Sequence, residues 1–127
     1  MKKCGKIKQE ELYARKSIDY KIKRVCNEIK NTKKESVLTN QLVRSGTSVG
    51  ANIREAFYAH GKADFIANLQ IALKECSESE YWLELLIESR YYTKKDILEL
   101  CIEVKRLLIS SLTPQKIINK CKQFGYT

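Results

Sequence analysis

The sequence predicts an all-α protein, a single antiparallel up-and-down four-helix bundle over residues 1–127. Three observations carry this. The chain holds one proline and five glycines in 127 residues, too few to turn a chain every ten residues or so, as an all-β domain requires. Apolar residues recur at intervals of three and four along most of its length, the period of a helix with one buried face. Hydrophobic residues make up 43% of the composition, enough to fill the core of one domain of this size.

The first helix is expected over about residues 10–32. Ala14, Ile18, Ile22, Val25 and Ile29 form its apolar side. Lys16, Lys23 and Lys30 recur every seven residues on another side. Asn31 through Ser36 read as a polar linker. The second helix is expected to start at Thr39, a good N-cap with Leu38 before it as a hydrophobic staple. It should run to about His60, where Gly61 can end it. Leu42, Val49, Ile53, Ala56 and Phe57 form its apolar side.

The third helix is expected over about residues 62–91, with Asp64 in a first turn that favours negative charge. Phe65, Leu69, Ala72, Cys76, Ser79, Leu83 and Leu86 keep an alternation of four and three, widened by Ile66, Leu73, Trp82 and Leu85. The fourth is expected over about residues 94–112, capped by Thr93 with Asp96 three residues on. Its apolar side is Ile97, Leu100, Cys101, Val104, Leu107 and Leu108. Thr113-Pro114 ends it and starts a short terminal helix or ordered tail over about 114–124. No repeat, low-complexity tract or second domain interrupts this pattern.

The formal net charge is +9, which attracts polyanions. The charge is unevenly spread. Residues 1–34 hold 12 Lys/Arg and 4 Asp/Glu, residues 62–103 hold 5 and 9, and residues 104–127 hold 5 and none. In an antiparallel bundle the first and fourth helices can lie side by side and merge their basic faces. Arg15, Lys16, Lys23, Arg24, Lys30, Lys105 and Arg106 are the candidate phosphate contacts. Tyr13, Tyr20, Phe124 and Tyr126 lie among basic residues and can stack on exposed bases. A solvated lysine face with aromatics closing the bundle is the plainer reading of the same residues.

The opening Met1-Lys2-Lys3-Cys4-Gly5-Lys6 has charge without an apolar run behind it, which is not the form of a secretory signal. No stretch reaches the length of a membrane span, so no membrane role is expected. Cys4, Cys26, Cys76, Cys101 and Cys121 lack the close spacing of a zinc site. Cys26, Cys76 and Cys101 fall on apolar faces. Free thiols used as small core residues point to the cytoplasm.

Gln41, Ser45, Ser48, Asn52 and Glu55, spaced four and three apart, line one side of the second helix, beside Gly46, Gly50, Ala51 and Ala56. Glycine inside a helix costs about 1 kcal/mol relative to alanine. Close approach of another backbone is the usual reason to accept that cost. Lys74, Glu75, Ser79 and Glu80 on the third helix are the facing partners. We expect Arg44, Ser45, Ser48, Asn52, Glu55, Glu75 and Glu80 to form a packing or assembly network. Within it, Ser45, Asn52, Glu55 and Glu75 should be partly buried and mutually satisfied, because buried polar groups need partners.

The run Gln41-Leu42-Val43-Arg44-Ser45-Gly46-Thr47-Ser48-Val49-Gly50-Ala51-Asn52-Ile53-Arg54-Glu55-Ala56 resembles the bacterial four-helix bundle protein family, also called the S23 or 23S rRNA intervening-sequence protein family. Asp64-Phe65-Ile66, the stretch Leu69 through Glu75 and the stretch Glu80 through Leu86 carry the second part of the resemblance, which covers about residues 10–112. The resemblance implies a four-helix bundle assembled as a ring-like homopentamer. Some members of the family are encoded inside insertions of 23S rRNA genes. A related protein, the accessory factor of diversity-generating retroelements, binds nucleic acid and a reverse transcriptase. The family has no established catalytic residues to carry over. This sequence departs from the commonest pattern at Arg54, Ala56 and Lys74, where small residues or glycine are frequent.

No catalytic constellation can be assembled. His60 is the sole histidine, which excludes two-histidine metal motifs. Gly46 and Gly50 lie inside a helix rather than in a phosphate-binding loop. Glu55 and Glu75 could pair as acid and base or hold metal with Glu80, but the Glu-x-x-His motif of di-metal bundles is missing. The expectation is therefore no enzyme, no cofactor and no metal. Three functions compete. One is a homo-oligomer that binds RNA or DNA through a basic surface. Another is a protein-interaction scaffold with its own protein partner. The third, against the expectation, is an anion-binding or metal-dependent enzyme.

Overall fold

A computed structural model describes the backbone of residues 5–91 and 95–111 together with Asn119, Lys122 and Gly125. Side chains are described from Lys16 to Tyr91 and from Lys95 to Arg106, besides those three residues. Four helices account for almost all of it: α1 (Gly5–Lys33), α2 (Val37–Ala56), α3 (Lys62–Glu88) and α4 (Lys95–Ser111). No strand occurs among the described residues. Consecutive helices pack against each other, and α4 closes the ring against α1.

Local chemistry explains the ends. The last turn of α1 carries Lys30 and Lys33, where positive charge offsets the helix dipole. Lys34 then takes a left-handed conformation, φ 57°, and its N–H donates to the Lys30 carbonyl at 3.1 Å. The second helix starts two residues before the expected Thr39, at Val37 after Ser36. Glu35, rather than a threonine, caps it. Its carboxylate accepts the backbone N–H groups of Leu38 at 2.7 Å and Thr39 at 3.0 Å. Thr39 is fully buried instead, its hydroxyl donating to the Glu35 carbonyl at 3.1 Å. α2 also stops at Ala56, short of His60. Gly61 serves as the N-cap of α3. Asp64 in the first turn of α3 accepts the His60 backbone N–H at 3.3 Å. The Thr93 cap and, apart from Asn119 and Lys122, the terminal segment expected over 114–124 lie outside the described residues.

All seven residues of the four–three stripe on α3 are buried. They meet Leu42, Val49, Ile53 and Ala56 of α2, Ile18, Ile22, Val25, Cys26 and Ile29 of α1, and Ile97, Cys101 and Val104 of α4 in one core. Burial of such side chains supplies roughly 1.5–3 kcal/mol each, and a lone helix has nothing to bury its stripe against. Cys26, Cys76 and Cys101 lie within this core, none of them in a disulfide. The Cys26 thiol donates to the Thr39 carbonyl at 3.5 Å, tying α1 to α2.

Candidate functional site

The polar stripe on α2 divides in three. Ser45 is fully buried opposite Ser79. The Ser79 hydroxyl lies 2.8 Å from Ser45 Oγ and 2.9 Å from the Glu75 carbonyl, and Ser45 reaches back to the Leu42 carbonyl at 3.4 Å. This is a small satisfied link between α2 and α3. Ser48 and Asn52 are half-buried, and Asn52 Nδ2 donates to the Ser48 carbonyl at 2.9 Å and to Ser48 Oγ at 3.2 Å. Those bonds stay inside α2. Glu55 is exposed, contrary to the expectation that it is partly buried. The helix ends at the next residue, so Glu55 sits at the open end of the stripe.

On the outer edge of the same seam, Arg44 forms an ion pair with Glu78 and a second with Glu75 at 3.4 Å, and its Nε donates to Gln41 at 3.1 Å. The guanidinium hydrogen bond holds the Glu78 carboxyl below its usual range, and the Arg44 value is raised in return. Glu78 is absent from the expected set, although Glu75 and Glu78, three apart, share a helix face and so can meet one arginine. Glu80 makes no ion pair with a described residue. It contributes negative potential near Lys105. The three carboxylates at 55, 75 and 80 therefore do not converge. Among the described residues no cluster of His, Cys, Asp or Glu is placed to hold a metal ion, and no helix is long and apolar enough to cross a membrane.

The expected basic face also divides. Lys105 turns toward α3 and pairs with Glu84 at 2.9 Å. That hydrogen bond, with Glu80 and Glu88 nearby, raises its value. Lys30 donates to the Asn40 side chain on α2. The seam between α1 and α4 carries a Lys21–Glu103 pair at 2.5 Å, so the two helices do not merge into an uninterrupted cationic strip. Arg106 is exposed and within electrostatic reach of Glu103. The side chains of Arg15 and Tyr13, and all of Phe124 and Tyr126, lie outside the described residues.

Lys16, Lys23 and Arg24 remain. All three are exposed, and none forms an ion pair with another described residue. They surround Tyr20, whose side chain is 74% exposed. Helical spacing explains the cluster, since Lys16, Lys23 and Arg24 lie three or four residues from Tyr20 on the same helix. Three shallow surface depressions meet at this ring. One runs into the seam with α2. It is a groove of about 240 Å³ lined by Lys16, Asp19, Tyr20, Ile22 and Lys23 of α1 and by Val43 and Thr47 of α2. The others extend along α1 past Arg24 toward Asn31 and past Ser17 and Lys21. The sequence points to Tyr20 among the cations. Val43 and Thr47 come into view only once α2 is docked on α1.

A family model described as 23S rRNA-intervening sequence protein matches residues 12–110. The chain is also similar to a crystal structure of a protein with unknown function from the S23 ribosomal protein family of Bacteroides thetaiotaomicron VPI-5482. The two are 43% identical, with a TM-score of 0.66, over 81% of this chain and 98% of that one. No curated protein matches the chain.

Proposed function

Given that the chain belongs to the 23S rRNA-intervening sequence protein family, we propose that it is a non-catalytic helical bundle that binds nucleic acid through the exposed face of α1. One observation carries this reading: three cations without an ion-pair partner among the described residues gather around an exposed tyrosine. Cations held this way neutralise phosphates and release counterions on binding, giving affinity that is largely independent of sequence. The family description refers to 23S rRNA, which makes RNA the first ligand to try. The bundle is antiparallel and works as a homopentamer. Short connections at residues 34–36 and 57–61 support the antiparallel order. Exposed apolar side chains away from α1, Tyr58, Ile71 and Tyr81 among them, support contact between subunits. Buried free thiols favour the cytoplasm.

A mobility-shift series with RNA and with DNA at about 50 and about 200 mM monovalent salt tests the reading. Retardation at the lower salt that falls by orders of magnitude at the higher one is expected. No retardation of either nucleic acid at the lower salt refutes the reading and leaves a protein-interaction scaffold as the alternative.

A further inference from the structure

We propose that the groove between α1 and α2 takes one unpaired base of a single-stranded nucleic acid, stacked against Tyr20, with Lys16 and Lys23 holding the phosphates on either side. This rests on the reading of α1 as the nucleic-acid face and narrows it to strands whose bases are free. A ring 74% exposed on a charged helix contributes little to packing. Its faces are available to a flat apolar partner. Ile22, Val43 and Thr47 line the groove beside it, a mainly apolar set without a cation, which suits the face of a base better than a phosphate. Asp19 also lines this groove, and its negative charge further disfavours a phosphate there. Lys16 and Lys23 stand two helical turns apart, about 10 Å along the axis, one on each side of Tyr20. A duplex hides the faces of its bases and presents only its backbone and groove edges. Only a single strand uses the ring as well as the cations.

Fluorescence anisotropy of the full chain tests this with a dye-labelled mixed-sequence oligonucleotide, used single-stranded and as its duplex. Tyr20→Ala should weaken single-strand binding on the order of tenfold and duplex binding less than about twofold, and Tyr20→Phe should keep the wild-type preference. Lys23→Ala should weaken both. Because Tyr20 is exposed, an unchanged melting temperature is expected and confirms that each variant is folded. If Tyr20→Ala leaves single-strand binding unchanged, or weakens both forms equally, base stacking is refuted while the cationic site stands. If the wild-type chain binds neither form, the reading of α1 fails and the groove proposal falls with it.

Discussion

A Cβ built at Gly46 would lie 2.7 Å from Cδ1 of Ile22, too close for real atoms. Alanine gains about 1 kcal/mol of helix propensity over glycine, but here it must displace a methyl group of a side chain only 1% exposed. Gly46→Ala should therefore destabilise the wild-type protein. In an Ile22→Val background, which lacks that methyl, it should be neutral or stabilising. A double-mutant cycle by chemical denaturation should show coupling of about 1 kcal/mol, and additive costs would contradict the contact. The sequence called for close approach at this glycine but of another backbone, whereas the neighbour is the Ile22 side chain. The identity of the neighbour was not readable along the chain, since it depends on how α1 and α2 are rotated. The core thiols make a second residue-scale case. Burial is the main cause that pushes Cys26 from an ordinary 9.0 to about 12, with Lys30 opposing and Cys101 and Glu35 adding. Burial alone takes Cys101 to about 11. A thiol that holds its proton more tightly folded than unfolded gives its full stabilisation below about pH 9, and this is lost as pH rises through the folded values. Unfolding free energy should fall from pH 9 upward, and more steeply than in a Cys26→Ala, Cys101→Ala variant compared by urea titration. Parallel pH profiles would contradict this.

At the scale of elements, the buried face of α3 was legible, since its four–three stripe is a property of local spacing and all seven members are buried, although the helix ends at Glu88 rather than near residue 91. The start of α2 was not. Thr39 has the side chain of a cap, but the chain turns at Lys34, where φ is 57°, and this brings Glu35 over the free N–H groups of Leu38 and Thr39. Glu35→Ala should cost about 1 kcal/mol in denaturation experiments, whereas Ser36→Ala, which loses no side-chain cap bond, should cost much less. Equal losses would return the cap to Ser36. The same limit applies to the basic residues. Composition shows that Lys30 and Lys105 are cations, but only the facing helix shows that Asn40 and Glu84 engage them.

Over the whole molecule, the segregation of charge survives folding in altered form. The acidic middle of the sequence lies on α3 and α4, where Glu84 and Glu103 engage Lys105 and Lys21. Lys16, Lys23 and Arg24, which form no ion pair with another described residue, gather on α1 around Tyr20. Which cations stay without an ion-pair partner is thus a subtraction, basic residues less those whose partners lie on other helices, and it cannot be made along the linear chain. The salt dependence of RNA binding counts the surviving cations most directly. The affinity of wild-type protein for a single-stranded RNA should fall linearly with salt on logarithmic axes. Replacing Lys16, Lys23 and Arg24 together by alanine should make that slope shallower by about 2, near 0.7 per cation for a single strand. An identical slope in the folded triple variant would show that the phosphates are held elsewhere and would contradict the account.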